Sequence, residues 1–252
     1  MGGSTVVIGW QLVVALVALV VLAAAAAGFG RLGTSRSSVV AAVRAAVQLA
    51  VVAAVILALV RSWWGTVVFV LVMLGVATWT SGRRMTPGHS GLFAGLAIVA
   101  GTVPVLAIVL ATGTVPLTGI AVVPVAGIVI GGAMSATSLA GRRALDELAA
   151  RHGEYEAALA LGLLDRDAAL LLIRRSASDA LVPPLDQTRT VGLVTLPGAF
   201  VGVLLGSGDP VQAGAAQLLV LVGLLAAETI AVLVAVELVA QGRVRRPHRH
   251  PA

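Results

Sequence analysis

Seven apolar runs of bilayer-crossing length, each bounded by charge or turn residues, limit this chain more than any other feature: residues 5–27, 38–60, 63–80, 91–111, 117–140, 190–206 and 211–240. A hydrocarbon core about 30 Å thick requires roughly 20 residues of apolar helix, so the pattern predicts an all-α, polytopic membrane protein with about seven transmembrane helices in a single domain over residues 1–252. The first run has no basic residue ahead of it and is too long for the apolar stretch of a cleaved leader, so it reads as a retained span. Only 11% of the residues are charged and 59% are hydrophobic, against roughly 25% charged in soluble domains. There is no cysteine, which excludes a disulfide framework and thiolate metal ligation.

Short loops on the cytoplasmic side of a membrane collect positive charge, and here the bias alternates. Arg31 and Arg36 fall between runs one and two, Arg83 and Arg84 between three and four, and seven arginines from Arg142 to Arg189 between five and six; Arg243, Arg245, Arg246 and Arg249 follow run seven. The intervening connections hold only Arg61 and Asp209. The expected topology has the N-terminus outside and the C-terminus cytoplasmic, with a basic tail over 241–252. Trp10, Trp63 and Trp64 then fall at the outer interface and Trp79 near the inner one, where such rings are favoured.

Eight of the eleven acidic residues lie in one polar segment, 141–189. Leucines at roughly helical intervals predict two short helices meeting at Gly162, with Asp165 capping the second and Pro183-Pro184 ending it. All 17 basic residues are Arg and none is Lys. The chain therefore lacks the lysine of a phosphate-binding P-loop and is not itself an ordinary ATPase.

Four stretches carry a family resemblance: Arg44-Ala45-Ala46-Val47-Gln48-Leu49; Val123-Pro124-Val125-Ala126-Gly127, continuing to Gly131-Gly132-Ala133-Met134; Asp186-x-x-Arg189-Thr190-Val191-Gly192-Leu193-Val194-Thr195-Leu196-Pro197-Gly198; and Gly208-Asp209-Pro210 with Gln217. Together, and in this order, they resemble the FetB-like ABC permease family, described as bacterial iron exporters with plant relatives implicated in aluminium tolerance. Where those relatives tend to have Gly-Asn, this sequence has Gly131-Gly132. The resemblance implies a multi-pass permease of a bacterial plasma membrane. It would bind no cofactor of its own, take its power from ATP-Mg on a separate FetA-like ATPase, and work as a homodimer; no nucleic-acid partner is expected. Glu156-Ala157-Ala158 followed by Gly162 matches the start of the EAA-x-x-x-G loop by which many ABC permeases engage their ATPase, although the Leu-Pro expected further along is not at the usual spacing. The same segment also reads as an amphipathic helix lying on the bilayer surface.

Candidates for a translocation path are Arg44, Gln48, Pro124, Met134 and Glu228. Arg44 and Gln48 sit one helical turn apart and could bond to each other inside the bundle; alternatively Arg44 snorkels to the headgroups and Gln48 joins helices. Glu228 is the carboxylate well inside a span, and an intramembrane ionisable residue is a functional candidate by default. Pro124, Gly127, Gly131 and Gly132 permit close helix contact, and Pro197-Gly198 permits a bend. The Gly28-x-Gly30-x-x-Gly33 pattern follows a membrane helix rather than a strand and reads as a loop. Gly206-Ser207-Gly208-Asp209 falls in an outer turn without a partner aspartate, and His248 and His250 belong to a tail suited to anionic lipid. Competing readings are an ATP-independent ion-coupled carrier or channel, and an intramembrane enzyme, for which a second ionisable group at similar depth is wanting.

Overall fold

The computed structural model describes residues 9–59 and 62–246, so the predicted start of the first run, the end of the second, Arg61, His248, Arg249 and His250 lie outside the described residues. Every regular element among the described residues is helical: α1 (Trp10–Phe29), α2 (Ser35–Leu59), α3 (Trp63–Met85), α4 (Ala94–Ala111), α5 (Gly119–Ala150), α6 (His152–Ala160), α7 (Asp165–Ser178), α8 (Val182–Thr190), α9 (Gly198–Ser207) and α10 (Pro210–Ala240). Short 3-10 turns, His89–Phe93 and Asp179–Leu181, precede α4 and α8. Two compact units result, one up to residue 59 and one from residue 60 on.

In the first unit, α1 packs against α2. Their connection turns through Arg31 and Gly33, both with positive φ, so the glycine pattern here is a loop between helices, as expected.

In the second unit, α5 is central and packs against α3, α4, α7 and α10. Its interior is built from small residues: Ala77, Ala97, Ala126, Ala133, Ala227 and Ala231 are buried, whereas Leu71, Val76, Ile108, Ile120, Leu218 and Leu233 face outward. Branched side chains such as Ile98, Ile130 and Ile173 are buried among these alanines, so small residues bring the helices close while large ones fill the remaining space. Outward leucine and inward alanine suit helices solvated by lipid, where close backbone approach is the main source of association.

Six helical segments are long and apolar enough to cross a membrane. The sixth predicted run, 190–206, is the exception. Beyond Thr190, which ends α8, only Gly198–Ser207 is helical there, about 15 Å of helix and half a bilayer core. The reason is local: Gly192 adopts φ 83° and turns the chain back, with its N–H donating to Thr195 O at 2.9 Å. Pro197 then disfavours helix in the residue before it. In the opposite sense, the fifth run is longer than expected, since α5 continues through ten residues of the polar segment to Ala150.

The turn between α9 and α10 explains Gly208-Asp209-Pro210. Gly208 ends α9 in the left-handed region (φ 71°), the Asp209 carboxylate accepts from Val211 N at 2.8 Å and Gln212 N at 3.3 Å, and Pro210 opens α10. Proline at the first helical position gives up no bond, because that N–H has no intrahelical partner. Asp209 is thus a helix cap. Asp209→Ala is expected to cost about 1 kcal/mol of stability, read as a lowered unfolding midpoint in detergent with ligand-independent helix content otherwise unchanged.

Candidate functional site

The polar segment is built outward from the end of α5. At 32 residues this helix is about 48 Å long, so its final turns project beyond a 30 Å core. Arg151 closes it and starts α6, bonding Glu147 Oε1 at 3.3 Å on one side and Glu154 Oε1 at 2.8 Å on the other. That hydrogen bond holds the Glu154 carboxyl below the usual carboxylate range, and Arg151 is raised in turn.

Nine residues later α6 stops in a Schellman turn: Gly162 N donates to Leu159 O at 2.9 Å and Leu163 N to Ala158 O at 3.2 Å. Gly162 sits at φ 93°, where a β-carbon is strained, which bears out the expectation of a glycine-permitted turn. Glu156 and Ala157 are exposed and Ala158 is buried. The Glu156 carboxylate lies 3.3 Å from His152 Nε2, and His152 stacks on Tyr155. Burial, followed by the nearby Asp165, raises the Tyr155 hydroxyl. Beyond the turn Leu161 and Leu164 are 83% and 72% exposed, so the tip presents charge beside uncovered leucine.

The next helix behaves differently. Ala169, Leu170, Leu172, Ile173 and Ala177 of α7 are buried in one cluster with Ala140, Ala144 and Leu145 of α5 and Val232, Val236 and Val239 of α10. Two ion pairs fasten this packing. Arg166 bonds Glu237 of α10 through Nε and Nη2, the latter to Oε2 at 2.9 Å, and Arg143 of α5 pairs with Asp179. The Glu237 bond raises Arg166 above its ordinary value. Hence α7 is a component of the bundle, while α6 rests on it through Ala158 and Tyr155 and leaves Glu156 and the Gly162 turn exposed. Two expectations are corrected. Asp165 is the first residue of α7, with Leu164 at the cap position and no side-chain cap bond. Pro183 and Pro184 open α8 instead of ending α7, as prolines in a first helical turn can.

The start of the tail is also held. Arg245 O accepts from Ser90 Oγ at 2.9 Å and Thr86 Oγ1 at 3.1 Å, Arg246 pairs with Asp146, and Val244 is buried. Through residue 246 the tail belongs to the body of the protein.

The remaining candidates separate. Arg44 and Gln48 are both exposed on α2, and no hydrogen bond joins them. Pro124 is exposed on α5; Met134 packs against Ala77, Ile98 and Ile130, and its carbonyl accepts from Ser138 Oγ at 2.7 Å. Gly132 meets α10 closely, whereas Gly131 has open space where a side chain would stand. Asp186 and Arg189 form a 3.6 Å ion pair on α8, and Thr190 Oγ1 bonds Asp186 O at 2.9 Å. Gly192, Pro197 and Gly198 shape the entry to α9, where the buried Gln217 of α10 accepts from Phe200 N at 3.1 Å through its Oε1. Gln217 therefore supplies the cap that Pro197 cannot. Glu228 is buried in α10 at 6% exposure. Among the described residues no group of three or more His, Asp or Glu could hold a metal ion. The Arg166–Glu237 and Gln217–Phe200 pairs were not legible in the sequence, since nothing local links residues so far apart along the chain.

Outward-facing leucines and valines around an alanine-rich core, with six segments of spanning length, define a polytopic helical membrane protein. The chain belongs to the uncharacterised protein family UPF0014, which it matches over residues 10–243. It is 36% identical over 161 residues to the UPF0014 membrane protein STAR2 of Oryza sativa subsp. japonica, covering 64% of this chain and 56% of that one. It is 33% identical over 165 residues to the protein ALUMINUM SENSITIVE 3 of Arabidopsis thaliana, covering 65% and 60%. To the "Probable iron export permease protein FetB" of Escherichia coli it is 30% identical over 171 residues, covering 68% and 66%. The match thus spans less than two thirds of each relative. No solved structure matches the chain.

Proposed function

We propose that this chain is the membrane-spanning permease of an ABC transporter that exports a metal ion such as iron, driven by ATP-Mg bound on a separate FetA-like ATPase. The observation that carries this reading is the contrast within the polar segment. α6 and its Gly162 turn leave Glu156 and two leucines uncovered, whereas α7, next in sequence, is buried against α5 and α10 and paired to α10 through Arg166 and Glu237. An exposed dock on a rigid base can transmit a partner's movement into the spans. Export of iron is taken from the name of the Escherichia coli relative.

The reading places the polar segment 141–189 and the basic tail 241–252 in the cytoplasm, as the alternation of arginines supports, in the plasma membrane of a bacterium. Seven crossings are retained, the sixth made by α9 together with the non-helical stretch 191–197. The stretch is folded into a turn at Gly192 and α9 supplies about 15 Å of helix, so a full crossing in this reading requires the turn to open. Irregular backbone is tolerated at membrane depth only where protein covers it, and Leu193, Val194 and Leu196 are uncovered in a single chain. This favours a homodimer, with the second copy against that stretch.

Reconstitution tests the class. Vesicles holding this protein and its ATPase are expected to move iron outward from the arginine-rich side, and to stop when ATP is withdrawn or vanadate is added. Transport by this chain alone, driven by an ion gradient and indifferent to ATP, would replace the proposal with an ion-coupled carrier.

A further inference from the structure

One carboxylate inside the bundle has no assigned task. Glu228 sits in the seam between α5 and α10, with its Oε1 only 2.5 Å from where a β-carbon on Gly132 would stand. The bare backbone at Gly132 is what leaves room for the acid. No hydrogen bond or ion pair reaches the Glu228 carboxylate among the described residues. α4 and α9 contain no charged residue, α5 none before Arg142, and α10 none between Glu228 and Glu237. Glu237 is nine residues away, about 13 Å along the helix. α7 meets α10 at that end, where Arg166 is bonded to Glu237, with Arg174 acting on the same carboxylate; Asp186 and Arg189 of α8 pair with each other.

We propose that Glu228 is a proton-binding site, occupied while α5 and α10 are closed on each other and vacated when water enters their seam. An ionised carboxylate in a largely buried apolar seam without a counter-charge is the costly state. A metal ion is the other hard ligand that a carboxylate takes, but it needs several oxygen donors, and this seam offers a single acidic side chain. A proton needs only one. Once hydrated, an ordinary glutamate ionises well below neutral pH, so each opening of the seam at neutral pH releases a proton and each closing takes one up. The inference rests on the membrane-spanning fold and not on the transporter reading.

The test is labelling of the purified full-length chain in lipid bilayers with dicyclohexylcarbodiimide, which enters membranes and reacts with protonated carboxyls, with the adduct located by mass spectrometry. Neither ATPase nor substrate is present, so the result is independent of the proposed function. An adduct on Glu228 at pH 6, absent in Glu228→Gln and diminishing as pH is raised, is expected. Gly132→Ala, which displaces the acid from its seat, is expected to change the labelling rate several-fold while the remaining acidic residues label as before. No adduct at any pH in protein with an unaltered unfolding midpoint would overturn the proposal. So would equal labelling by a membrane-impermeant, water-soluble carbodiimide, which would place the acid in water, or protection by divalent iron or manganese at pH 6, which would make the site a metal ligand.

Discussion

Replacing Gly162 by proline is expected to abolish co-purification of the proposed ATPase partner while leaving membrane insertion and the unfolding midpoint nearly unchanged. Gly162 holds φ at 93°, and proline fixes φ near −65°. It also has no N–H to donate to Leu159 O, the 2.9 Å bond that closes the turn. The last turn of α6 must then reorganise, carrying Glu156, Leu161 and Leu164 away from their present arrangement. The bundle does not feel the change, because Gly162 and its neighbours 161–167 are exposed and the buried face of α7 begins at Ala168. Gly162→Asn supplies the contrast, since asparagine tolerates the left-handed region better than other side chains; it is expected to retain most of the partner. A proline variant that still captures the ATPase in full would remove the docking role from this turn.

Gly101→Leu is expected to prevent accumulation of folded protein. A β-carbon at position 101 of α4 would stand 2.3 Å from the backbone oxygen of Ala227 and 3.2 Å from the side chain of Ala231, both on α10. The nearest obstacle is a helix backbone, which no rotamer change can move aside. Overfilling a packed core commonly costs about 1–3 kcal/mol, and here α4 and α10 must separate along a principal contact of the unit. Loss of the monodisperse peak in detergent chromatography, or a steep drop in unfolding midpoint, reads the effect. Gly131→Ala is the matched control, since a β-carbon there meets nothing within 4 Å. If the two substitutions behave alike, glycine at position 101 is not what brings these helices together.

Much of this protein follows from one-dimensional information. The spans were visible because a bilayer imposes a length and a polarity on each crossing helix, and both are properties of a contiguous stretch. The turn at Gly162 was equally legible, for a glycine between two leucine-bearing segments is a local signal. Where local chemistry offered more than one outcome, the expectation failed. Run 190–206 read as one continuous helix, yet Gly192 and Pro197 break it and leave ten helical residues. Pro183 and Pro184 can end one helix or begin another, and here they begin α8. Composition likewise could not tell that α5 would pass uninterrupted into the polar segment.

Pairings between distant residues belong to the tertiary structure alone. The grip of Arg166 on Glu237, the cap that Gln217 lends to α9, and the seat of Glu228 against Gly132 each join side chains separated by many residues. Hydropathy reports how a residue partitions between water and lipid, and says nothing about which neighbour it meets once there. The membrane therefore selected the helices directly from the amino-acid order, whereas the rigid base beneath α6 and the isolation of one buried acid arose only when those helices packed.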